Sequence, residues 1–430
     1  MAPPTVEEHT TVLRFLIHNG YRSTAETFKR EAASFLDYTN STQPSINEEQ
    51  LTQDLARLTV GRTPELEEGD ENYFNTPCFS FDSIHHDNIL AAIIVPDDSG
   101  TLISSSTNKT VVVSPNILLG NKDLSIPPRS YKHHTAPVLS IDTHPLYPNV
   151  MLTTSMDGTI ALVNTSEPLD VLDPESSGLL QQFKDHTKYV VRGIFSPEHG
   201  KYIATASYDK YVCIYDSDPD SADQVRIATT TNASNGSLPK YTLIKKLGPF
   251  VGNVETICFL EPDVLVVGVR DDNYLHYIHL PDFSREKYNM NANGDNWVSF
   301  SPAWISASPD RRFLLCSTDH ESGRIILFGA HQSRQVQNYY DSPSDNKFTT
   351  RRHAWHSSGK YFYTVGGDDN NVRVVETKTG IVAEALKSHK KMIKSISVVP
   401  KQGVVTAGFD HLVNVWSTPL LHSATKDAAR

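Results

Sequence analysis

KDHTKYVVRGIFSPEHGKYIATASYDKYVCIYD, residues 184–216, is the stretch from which the fold can be read. It opens on a turn bearing His186, continues as an alternating apolar run (Val190, Gly193, Phe195), and turns at Ser-Pro…Gly. A second run (Tyr202, Ile203, Ala204) leads to a Ser-X-Asp turn and a third run from Tyr211 to Tyr215. Three short strands at period two form a small antiparallel sheet that cannot bury both faces alone. It must stack on copies of itself.

The copies are present. His186 precedes Asp209 by 23 residues, His134 precedes Asp157 by 23, and His389 precedes Asp410 by 21. Six residues after each Asp the third strand reaches Val163, Tyr215 and Trp416. A unit of this kind with a period of about 40–50 residues is a β-propeller blade. It resembles the WD-repeat family, whose blades carry a Gly-His turn, a Ser/Thr, an Asp at a tight turn and a closing Trp-Asp. The resemblance implies a structural network of His134, Ser155 and Asp157, of His186, Ser207 and Asp209, and of His389, Asp410 and Trp416. In it, Asp accepts from His and from the turn backbone, and Ser bridges between them. The copies are worn: His134 lacks the preceding Gly and the Trp, and Gly408 stands where Ser is expected.

Aligning the third strands gives seven turn positions, Asn108, Asp157, Asp209, Asp272, Asp319, Asp369 and Asp410, hence seven blades over 73–420. Blades four to six are the least regular, with a two-residue insertion after Asp319, so six or eight stay open. Residues 73–81 (YFNTPCFSF) are a spare strand before the first blade, and no fourth strand follows Trp416. A ring that takes its last outer strand from the N-terminal side closes without an unpaired edge. Residues 217–240, polar and without a period, read as a mobile surface loop, and 421–430 as a tail.

Upstream, Val12, Leu13, Leu16 and Ile17 share one helical stripe, Asn19-Gly20 reverses the chain, and Ser23-Thr24-Ala25-Glu26 is a capping box. Ala25, Phe28, Ala32 and Phe35 form the second stripe. Two such short helices cannot bury their faces alone, so association is expected. VLRFLIHNGYRSTAETFKREA resembles the LisH motif, which implies a four-helix dimer with Leu13, Leu16, Ile17, Tyr21 and Phe28 at its seam. The alternative is a hairpin packed on its own propeller. A third stripe (Leu51, Leu55, Leu58) extends the module to residue 60, and 61–72 read as an acidic linker. The C-terminal-to-LisH motif and the F-box that accompany LisH in some proteins are not visible.

The chain carries a net charge of −11 and 38% hydrophobic residues, enough for a core and against a surface devoted to phosphate binding. Four scattered cysteines (Cys78, Cys213, Cys258, Cys316) read as buried core residues. The longest apolar run, Ile89 to Val95, is too short for a bilayer, so no membrane partner and a cytoplasmic or nuclear location are expected. His85-His86 and His133-His134 alternate across a strand and cannot readily chelate one metal ion. No Gly-rich phosphate loop opens a helix, and no cofactor is expected.

His186, Ser207 and Asp209 are the residue types of a hydrolase, but a catalytic set is needed once, whereas His and Asp recur at nearly equal spacing in three blades. Two basic clusters stand out on an acidic chain: Arg351 with Arg352, and Lys387, Lys390, Lys391 and Lys394. They are either solvated loops on the propeller rim or a docking patch for an acidic or phosphorylated partner. The resulting expectation is a mainly β protein: a seven-bladed WD-repeat propeller preceded by a short helical dimerisation module. It would act as a non-enzymatic homodimeric scaffold for protein partners, as in ligase, corepressor or cytoskeletal-regulator complexes. A nucleic-acid-associated propeller using the basic loops is the alternative, and a hydrolase ranks below it.

Overall fold

The structure, a computed structural model, describes residues 73–95, 100–115, 117, 128–166, 178–217, 224–227, 236–340, 342–387, 389–400 and 402–417. The helical stripes of 1–60 with the seam residues Leu13, Leu16, Ile17, Tyr21 and Phe28, the linker 61–72 and the tail 421–430 lie outside these.

Seven four-stranded antiparallel sheets follow one another as blades 1 to 7, spanning 89–131, 138–183, 190–247, 254–289, 302–340, 352–387 and 393–417. The seventh is completed by Thr76–Phe81, which pairs with Val413–Ser417 in a register running from Thr76 opposite Ser417 to Phe81 opposite Val413. A bulge passes over Cys78 in that pairing. Blade 7 therefore takes its outer strand from the N-terminal side, which closes the ring and leaves only the short outer edges of the blades unpaired.

Hydrophobic pattern explains why each sheet stands in this order. The second strands are buried at every residue, as in Tyr202–Ser207 and Val264–Val269, or at all but the first, as in Phe313–Thr318 and Tyr361–Val365. The first strands are only partly buried, as in Val138–Thr143, where Val138 and Ile141 alone are buried, because one edge faces the central axis and a bulge follows the first residue. The outer strands are the least buried: Tyr241–Leu247 is buried only at its ends, and Leu179–Phe183 at no residue. The core consists of seven clusters among the described residues, one at each blade-to-blade interface including that between blades 7 and 1. Cys213, Cys258 and Cys316 sit in these interfaces, where burial pushes the Cys213 and Cys258 thiols up to about 12 and leaves them inert.

All seven sequence-derived turn positions fall between a second and a third strand. One expectation needs correction: the 217–240 insertion is not structureless, since Gln224–Ile227 and Gly236–Pro239 pair as an antiparallel two-stranded hairpin. Period-two counting missed it because the second strand, GSLP, carries Gly and Pro and no alternating apolar run. First strands also carry a repeated irregularity. In blades 1 to 5 and 7 a bulge follows the first residue, passing over Leu90, Leu139, Val191, Glu255, Ala303 and Lys394. A bulge re-aims the side chain it carries, and here it does so beside the axis.

Candidate functional site: the loop face and the axis

Antiparallel order puts two kinds of connection at the same end of every blade. The tight turn between second and third strands lies there, and so does the loop from an outer strand to the next blade's inner strand. His186 is in such a loop and Asp209 in such a turn, and the imidazole Nδ1 lies 3.0 Å from the Asp209 Oδ2. Asp209 also accepts from the amides of Thr187 (3.0 Å) and Tyr211 (3.1 Å). Burial works against its charged form, but the His186 contact and these amides outweigh it and hold the carboxyl at about 2.

The third member of the network is a threonine. His186 Nε2 lies 2.9 Å from the Thr205 hydroxyl, while Ser207 Oγ donates to the Lys188 carbonyl and accepts from the Asp209 amide. In blade 2, His134 Nε2 meets the Thr153 hydroxyl at 2.9 Å and Nδ1 meets that of Thr159 at 2.8 Å. Thr159 thus stands between His134 and Asp157, 3.6 Å apart, and Ser155 turns to the Ala136 and Pro137 carbonyls. In blade 7, His389 Nδ1 is 2.9 Å from Asp410, and Nε2 is 3.0 Å from Thr406 and 3.3 Å from the Asn414 amide. Trp416 stands outside this set. Its ring packs between blades 6 and 7, and its Nε1 has no hydrogen-bond partner among the described residues. Thr153, Thr205 and Thr406 each precede their Asp by four residues, a recurrence that the sequence displays and that distinguishes them from the serines. These networks are buried ties between a loop and a turn; a hydroxyl held this way has no open side for a substrate.

The six basic residues do not form one patch. Arg351 is only 8% exposed, and its guanidinium donates to the carbonyls of Ser342 (2.9 Å) and Ser344 (3.1 Å). It ties down its own loop. Lys390 and Lys391 are exposed in the loop between blades 6 and 7, and Lys387 ends the outer strand Val382–Lys387. Arg352 and Lys394 are on inner strands, half-buried beside the axis.

There they meet residues that sequence reasoning missed. The Arg192 guanidinium of blade 3 lies 3.6 Å from the centre of the Trp304 ring of blade 5, and Arg352 of blade 6 lies 4.5 Å from the same ring. Arg192 Nη1 donates to the Thr256 hydroxyl (2.9 Å) and the Ile305 carbonyl (3.2 Å). Trp304 Nε1 donates to the His353 carbonyl (3.2 Å), while the His353 ring lies 2.7 Å from both the Ser306 and the Ser317 hydroxyls. Burial, then the Arg192 charge, drives the His353 ring down to about 3, so it is neutral. Burial likewise lowers Arg192 and Arg352 to about 10, and lowers Lys394 to about 8 with the Arg352 charge adding to it.

The loop end also carries apolar side chains in water. Tyr189, Val251, Trp297 (77% exposed), Val298 and Phe348 (85% exposed) all belong to loops between blades. A pocket of about 360 Å³ opens on the same face between blades 6 and 7, lined among others by Thr349, Thr350, Asp368, Lys391 and Met392. Among the described residues no three His, Cys, Asp or Glu groups converge as metal ligands, and no helix is long and apolar enough to cross a membrane.

Comparison with known families bears on both parts of the chain. Residues 11–32 match the LisH model, and residues 125–164 and 177–216 match that of the WD domain, G-beta repeat. The two repeat matches cover blades 2 and 3, apart from the hairpin insertion and outer strand of blade 3, and no match falls on blades 4 to 7. No curated protein matches the chain. The protein is thus a LisH-motif chain with a seven-bladed propeller of WD-repeat type, an architecture of protein-interaction scaffolds.

Proposed function

We propose that the protein is a non-enzymatic adaptor that dimerises through residues 11–32 and offers the loop face of its propeller to protein partners. The observation that carries this reading is the placement of Tyr189, Val251, Trp297, Val298 and Phe348 in loops of one face. Exposed aromatic and apolar groups at a rigid scaffold's loops supply most of the energy of a protein contact. Two propellers on one dimer raise avidity through effective concentration, provided 61–72 lets both reach their sites. The His, Thr and Asp sets support the non-catalytic reading, because each is consumed in tying a loop to a turn. Scaffolds of ligase, corepressor and cytoskeletal-regulator complexes are the settings this design suits.

Light scattering on a sizing column tests the dimer, comparing the full chain with Leu16→Asp. A dimer that becomes a monomer is expected; monomers in both cases remove the avidity mechanism. Proximity labelling with Trp297→Ala/Phe348→Ala tests the face, and an unchanged set of labelled partners would place the docking surface elsewhere.

A further inference from the structure

Cations on inner strands need anions nearby, and two of those beside the axis have none among the described residues. The side chains of Arg352 and Lys394 make no hydrogen bond and no carboxylate contact among the described residues. The Arg352 guanidinium lies over the Trp304 ring, and Lys394 Nζ lies 5.3 Å from the centre of the Phe409 ring. Arg192, which shares Trp304 with Arg352, faces one carboxylate, Asp142, already engaged by the Phe195 amide at 2.8 Å. Burial pushes that carboxyl up to about 6, with the Phe195 and Thr143 amides and Arg192 pulling against it. The other inner-strand carboxylate at a bulge, Glu255, is already paired with Arg270 at 2.6 Å, so among the described residues three cations from blades 3, 6 and 7 stand against Asp142, and like charges lower one another: Arg192 acts on Arg352, and Arg352 on Lys394. A buried charge without a partner is destabilising, and a half-buried cleft of one sign concentrates counter-ions of the other.

We propose that the axial cleft at Arg352 and Lys394 is a binding site for a small, multiply charged phosphate anion, with Arg192 and Trp304 as its wall. The guanidinium of Arg352 presents parallel donors to phosphate oxygens, and the Lys394 ammonium adds a point charge. Trp304 holds the Arg192 and Arg352 planes by cation–π contact, and its own Nε1 is fixed by the His353 carbonyl. The cations are therefore placed before the ligand arrives. The bulge at Lys394 is what brings a side chain of blade 7 to the cleft. This site is separate from the outward apolar loops of the adaptor reading and stands or falls without it.

The experiment is a thermal-shift titration of the full chain with inorganic pyrophosphate, against sodium chloride at matched ionic strength. A saturable rise in Tm beyond the chloride control is expected. Arg352→Met and Lys394→Met each keep the apolar stem and remove an uncompensated charge, so without ligand they melt at or above the wild type, and both lose the pyrophosphate shift. Lys394→Arg keeps it, as does Lys378→Met, which alters an exposed turn at the opposite end of blade 6. A shift no larger than chloride's, or one retained in both methionine variants, overturns the site. So does a shift given by a glutamate-rich peptide but not by pyrophosphate, which would make the cleft a protein-docking feature.

Discussion

Blades 3 and 4 each set an aspartate between their second and third strands and each give it a histidine, but the histidines arrive from different directions. In blade 3, His186 comes from the preceding interblade loop, so Asp209 ties that loop to the turn. In blade 4, His276 belongs to the third strand itself, and its Nε2 lies 2.8 Å from Asp272. That tie stays inside one hairpin. Blade 5 keeps the loop-to-turn tie without a histidine, with Asp319 accepting from the amide of Ser301 in the preceding interblade loop at 2.6 Å, and in blade 6 Asp369 pairs with Arg373 at 2.8 Å. The sheets are alike all the same. Strand pairing and buried second strands make the blade; the aspartate secures a tight turn with whatever donor is near.

This ordering of ties can be broken one turn at a time. Asp209→Ala is expected to cost about 2–3 kcal/mol in chemical denaturation, because His186 and two amides lose a buried acceptor. Asp272→Ala should cost about 1–2 kcal/mol, since it strands His276 and the Tyr274 amide only. Equal losses would mean that tethering the loop adds nothing. Acid should discriminate as well. Asp157 and Asp209 are held at about 2, below the ordinary carboxylate range, so the stability they contribute is complete above about pH 4 and lost as pH falls towards 2. Asp209→Asn should therefore flatten the fall in Tm across that window; an unchanged slope would assign the acid limb to other groups. Asp369→Ala, breaking an exposed pair, should cost less than about 1 kcal/mol.

Sequence alone carried the blade count because the signal is local: each turn residue lies a few positions from the strands it joins. Ring closure by 73–81 was legible for the related reason that a strand missing at one end and spare at the other must meet. Side-chain partners were harder. Ser155 and Ser207 look like the bridging hydroxyls, but they sit next to the turn and satisfy carbonyls there, whereas Thr153 and Thr205 are deeper in the strand and face the imidazole. Arg351 and Arg352 look like one basic cluster because they are adjacent. Alternation along a strand separates them, one to its loop and the other to the axis. Nothing in the spacing of Arg192, Trp304 and Arg352 announces their meeting, since only a closed ring brings blades 3, 5 and 6 to a common centre.

The pairing of Thr76–Phe81 with Val413–Ser417 sets the timing of the fold during synthesis. The first strand of the propeller to leave the ribosome must wait for the last one, and blades 1 to 6 can form their sheets in the interval. Until translation passes Ser417, a strand carrying Phe79 and Phe81 has no neighbour, and blade 7 does not exist. The nascent chain thus exposes a sticky edge for nearly its whole elongation, which makes this clasp the step at which chaperones have the most to protect.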